Sequence, residues 1–91
     1  MNVPATAPNF GTALLVDRFV DKTVLVGGTF TGSMKIQGSI DGTNWADITS
    51  AITTPSSNAI DHTVKYLRVN LTALSAGTPV VWFDGLDTRT T

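Results

Sequence analysis

The chain has no cysteine, no glutamate, one histidine and few charges, and each shortage closes off some chemistry. Without cysteine there are no disulfides and no thiolate metal sites, and the redox compartment stays open. A lone His62 has no second imidazole or thiol to pair with. Beside Asp61 in a polar stretch, it reads as a surface residue. Charged residues make up 14% of the chain, against roughly 25% in soluble domains. The six Lys and Arg are scattered, so there is no basic stripe and no nucleic-acid partner is expected. No apolar run approaches the ~20 residues of a membrane-spanning helix, and no membrane association is expected. The first residues lack the basic and apolar regions of a secretory leader, so synthesis in the cytoplasm without export by this route is expected.

A net charge of −1 on 91 residues gives little repulsion against association. That suits a protein packed against neighbours, and a homo-oligomer, dimer or trimer, is expected. One small domain is implied. No window has apolar residues at helical spacing. Short runs of β-formers separated by Gly, Pro, Asp and Ser predict an all-β fold: a single small antiparallel sandwich, jelly-roll-like, of six to eight strands.

Residues 1–11, with Pro4 and Pro8, read as a flexible N-terminal arm. The sandwich is expected over residues 12–85, with a polar tail over 86–91. Strands are predicted at 12–20, 23–26, 64–71 and 80–84, with Gly27-Gly28 as a bulge or bend. A Ser/Thr/Pro-rich loop is expected over 49–58, with possible short strands at 51–53 and 58–63, and a second loop over 72–78. The expected core is Leu14, Val16, Val24, Val26, Ile36, Ile48, Leu67, Val69, Leu71 and either Val81 or Trp82.

The strongest local signal is the run from Met34 to Ile48, where Asp41-Gly42 divides two alternating segments. Gly42 supplies a positive φ, and Asp41, with Asn44, caps the turn. A three-residue loop would pair Ser39 with Thr43 and put Trp45 beside Gln37, opposite Met34, Ile36 and Ile48. A four-residue loop would put Trp45 with Ile36 and Ile40.

Other constellations are weaker. The seven aspartates are dispersed, and no insertion offers a sugar-sized pocket for a carboxylate pair. Asp41 and Asn44 lack the EF-hand spacing for calcium, and turn capping accounts for them better. Gly27, Gly28 and Gly32 precede no Lys-Ser or Lys-Thr, so no phosphate loop is present. Asn70-Leu71-Thr72 is a glycosylation sequon that matters only in a secreted chain. Neither catalytic residues nor a cofactor or metal site are assigned, and the chain is not expected to be an enzyme.

Gly38-Ser39-Ile40-Asp41-Gly42-Thr43-Asn44-Trp45, followed by Lys65-Tyr66-Leu67-Arg68-Val69, resembles paired signatures of galactose-binding-like (discoidin-type) jelly rolls. The likeness spans roughly residues 34–84 and implies a β-sandwich hairpin. The ligand loops of those domains have no counterpart, so sugar and lipid binding are not carried over. The run Gly28 to Ser39 leading into that hairpin, with the later Ser75-Ala76-Gly77-Thr78-Pro79 turn, resembles small structural proteins of tailed bacteriophages. This resemblance implies a virion component, foremost a capsid decoration (cement) protein on the outside of a major capsid protein shell. A tail or baseplate module, or a carbohydrate-binding adhesin module, is the alternative. On this reading Val3, Pro4, Pro8 and Phe10 of the arm are the expected partner contacts. Ser39, Asp41, Gly42, Asn44 and Trp45 are the structural hairpin.

Overall fold

A computed structural model describes residues 1–17, 19, 21–60 and 64–86. His62, Asp61 and the tail residues 87–91 lie outside the described residues. The fold is all-β and antiparallel, with eight strands and no helix among the described residues.

Its frame is one long two-stranded ribbon folded over on itself. Strands β3 (Asp21–Gly27) and β4 (Phe30–Ser39) form one side, and β7 (Tyr66–Gly77) and β8 (Val80–Leu86) the other. β3 pairs with β8 from Asp21↔Leu86 to Gly27↔Val80, and β4 pairs with β7 from Phe30↔Gly77 to Ser39↔Tyr66. At the corner the Thr78 amide donates to the Thr29 carbonyl at 2.8 Å, so the ladder is bridged through the bend. Gly28 (φ 84°) and Gly77 (φ 90°) make the bend on opposite strands. A Cβ on Gly77 would fall on the Thr29 carbonyl, and one on Gly28 would lie 2.6 Å from the Thr78 carbonyl oxygen. Glycine is therefore required twice over, by φ and by space.

The fold-over makes two sheets. In one, β6 (Ser56–Ile60), β3 and β8 lie side by side. The other has β5 (Ala46–Asp47) on β4, and both β1 (Asn9–Phe10) and β2 (Leu14–Leu15) on β7. The burial pattern of β3 alternates strictly, as a half-buried strand should. Val24, Val26, Ile60 and Val81 face Met34, Ile36, Leu67, Val69 and Leu71, with Val16 and Ile52 completing the buried cluster.

Several expectations need correction. Leu14 is 36% exposed, and Ile48 is only partly buried. Val81, not Trp82, is the core residue of β8, while Ile52 and Ile60 join the core from polar surroundings. The strand expected over 12–20 is cut to Leu14–Leu15, because the Phe19 amide bonds back to the Val16 carbonyl in a turn. The loop expected over 72–78 is instead strand as far as Gly77. Ser75 and Thr72 are extra residues at two register shifts in β7. Their hydroxyls donate to the Thr31 and Ser33 carbonyls opposite, at 3.1 and 3.0 Å, and bridge the broken ladder.

Candidate partner-binding surfaces

The hairpin turn is organised by its own side chains. Gln37 pairs with Asp47 and Gly38 with Ala46, which is neither of the two registers considered from sequence. The tight ladder turn gives way to a wider loop because side chains take over its hydrogen bonds. The Ser39 hydroxyl accepts from the Asp41 and Gly42 amides at 3.2 and 2.8 Å and donates to Asp41 Oδ1 at 2.9 Å. Asp41 Oδ1 also accepts from the Thr43 and Asn44 amides at 2.8 Å each, and Oδ2 accepts from Asn44 Nδ2 at 2.7 Å. Gly42 has φ 80°. These donors, the Asn44 and Thr43 amides foremost, hold the Asp41 carboxyl far below the ordinary carboxylate range. No group of three or more metal-ligating side chains forms among the described residues.

Beyond the turn, Trp45 reaches the outer face of the larger sheet, the side opposite Met34 and Ile36. There the Arg68 guanidinium carbon lies 3.8 Å from the Phe10 ring centroid and 4.1 Å from that of Trp45. Arg68 Nε donates to Gln37 Oε1 at 2.9 Å, its cross-strand partner in the β4–β7 register. Gln37 Nε2 donates to Asp47 Oδ1 at 2.9 Å, and Lys35 Nζ reaches Asp47 Oδ2 at 3.3 Å. One connected network thus ties β1, β7, β4 and the hairpin together. Gln37 and then Lys35 lower the Asp47 pKa, while desolvation lowers that of Arg68. Sequence alone shows Lys35, Gln37 and Arg68 at outward positions. Their meeting depends on the β4–β7 register, which pairs Gln37 with Arg68, 31 positions further along the chain.

The outer face of the three-stranded sheet is of another kind. Leu25 and Trp82 are cross-strand partners and are 45% and 51% exposed. Val80, also exposed, is paired with Gly27 beside them. A Cβ on Gly27 would lie 2.6 Å from the Trp82 ring, so the missing side chain lets the indole lie down on the strand. Thr23, Ser57 and Ala59 fill the neighbouring outward positions, and among the described residues of this face charge appears at Asp21 and Asp84 toward the end. Sequence alternation places Val24 and Val26 inward, but the adjacent Val81 and Trp82 leave open which residue of β8 turns outward, so the indole is not assigned to this face from sequence.

The residues of the expected arm lie along the sandwich. Val3 and Ala7 pack on the core, and Pro4 is half-buried. The Met1 amino group donates to the Val81 carbonyl at 2.8 Å, and Asn2 Oδ1 accepts from the Thr12 amide. Phe10 is the ring beneath Arg68, and Pro8 is exposed. An open cavity of about 350 Å³ lies nearby, lined by Leu14, Leu15, Asp17, Phe19 and Phe83. No protein-family model, curated protein or solved structure matches this chain.

Proposed function

We propose that this chain is a non-enzymatic virion structural protein of a tailed phage. In this reading it is a capsid decoration module that binds the outside of the major capsid protein shell and stabilises it. The observation that carries the reading is the Leu25–Trp82 pair, two large apolar side chains exposed side by side on an outer sheet face whose charges, Asp21 and Asp84, lie toward one end. Surface apolar residues scattered singly need no explanation, whereas adjacent ones at the middle of a sheet mark a contact surface. A shell offers many equivalent shallow sites, which a flat face fits better than a deep pocket would. The low charge of the chain favours a near-neutral partner, because charged groups docked on Leu25 and Trp82 would lose their water without compensation. The resemblance of the Gly28 to Trp45 run to small phage structural proteins supports the same reading.

The test is co-sedimentation of the purified protein with purified heads, with bound copies counted by quantitative gel. Hundreds of copies per particle are expected. Tens or fewer would assign the module to the tail or baseplate. Retention undiminished in a Leu25→Thr, Trp82→Ser double variant would move the contact away from this face.

A further inference from the structure

We infer that Arg68, clasped between Phe10 and Trp45, forms a binding site for a single carboxylate supplied by an acidic side chain of a partner protein. The inference concerns the sheet face opposite the proposed shell-docking face and stands independently of that reading.

The argument begins with what holds Arg68. The guanidinium carbon lies 3.8 Å from the Phe10 ring centroid and 4.1 Å from that of Trp45, and Nε is fixed by Gln37. These contacts set the side chain's position and orientation, so little freedom is left to lose on binding. They leave the Nη edge uncommitted. Arg68 makes no other hydrogen bond among the described residues, and no buried nitrogen is left without a partner, so the Nη groups reach solvent. That edge is the fork that matches the two oxygens of a carboxylate.

Among the described residues, no acid is supplied to this fork. The carboxylate on the same face, Asp47, is held by Gln37 and Lys35 instead. Arg68 is therefore a partly desolvated cation without an anionic partner, a state in which an incoming carboxylate gains more than at a fully hydrated arginine. Lys35 neutralises Asp47, which would otherwise repel such a ligand. The remaining polar groups, Gln37, Asp47 and Lys35, are engaged with one another. One open donor edge suits one carboxylate and does not provide the several partners that sugar hydroxyls need.

The experiment is a ¹H–¹⁵N NMR titration of the full chain with N-acetylglutamate amide, following the Arg68 Nε–H and Trp45 indole N–H resonances. N-acetylglutamine amide, the neutral isostere, and glucuronate run in parallel. Saturable shifts of both resonances with the acid, and none with the neutral isostere, are expected, and the shifts should weaken as salt is raised. Arg68→Lys keeps the charge but loses the fork, and at least tenfold weaker binding is expected. Arg68→Gln should abolish it, with a dispersed spectrum reporting an intact fold in each variant. Equal responses to acid and neutral isostere, or an unchanged affinity in Arg68→Lys, would overturn the site. Tighter binding of glucuronate than of the glutamate probe would overturn the assignment to a protein side chain.

Discussion

The two outer faces of this sandwich obey the same strand periodicity and do opposite things with it. On the larger sheet, outward side chains are spent on one another: Lys35 and Gln37 on Asp47, Gln37 on Arg68, Arg68 on Phe10 and Trp45. On the smaller sheet, Leu25, Trp82 and Val80 stand outward side by side and exposed. Apart from the open Nη edge of Arg68, the first face is spent within the chain and fixes the hairpin and the N-terminal segment to the sheet. The second leaves apolar surface in water, which costs solubility. An outward position in a strand is thus not automatically a solvent position. Whether it is spent inside the chain depends on register.

Breaking the corner that separates the faces should have the largest effect. Gly77→Val places a β-branched residue at positive φ against the Thr29 carbonyl, and a loss of about 3 kcal/mol in urea unfolding is expected. Next comes the satisfied face. Arg68→Ala removes two ring contacts and the Gln37 bond, and about 2 kcal/mol of destabilisation is expected by the same measurement. Gly42→Val should cost about 1–2 kcal/mol, since its φ of 80° strains a β-branched residue although the space around it is open enough. Thermal melting checks this, and an unchanged midpoint would mean that the turn relaxes.

The turn also predicts an acid limb. Asp41 has a folded pKa below its unfolded one, so its contribution is complete above the ordinary carboxylate range. It is lost as pH falls from that range toward the depressed folded value. Stability measured at successively lower pH should therefore decline less steeply in Asp41→Asn than in the native chain. The smallest effect belongs to the bare face. Leu25→Thr should change stability by no more than about 0.5 kcal/mol, because this side chain is half exposed and threonine puts a β-branched residue in the strand. A loss of several times that would show that the face is structural, and the comparison would fail.

Local chemistry was legible in the sequence, and long-range pairing was not. The all-β class, the inward residues Val24, Val26, Leu67, Val69 and Leu71, and the positive φ at Gly42 follow from period-two alternation and the Asp-Gly dipeptide. The hairpin register did not, because Ser39 and Asp41 replace ladder bonds with side-chain bonds and widen the loop. Val81 and Trp82 are adjacent apolar residues, and alternation alone leaves open which of them turns inward. Ile52 and Ile60 sit among Ser, Thr and Asn, so their burial was masked by polar neighbours. The clasp needs Phe10, Gln37, Trp45 and Arg68 to converge from four separate segments, which no local pattern reports.

The bare face as docking face is tested most directly by the emission of Trp82. Trp45→Phe leaves Trp82 as the single indole and keeps an aromatic ring against Arg68. In the free protein its emission should be that of a half-exposed indole. On purified shells the bound fraction should shift to the blue and lose accessibility to a soluble quencher. Unchanged emission and quenching in a fraction shown by sedimentation to be bound would contradict the account.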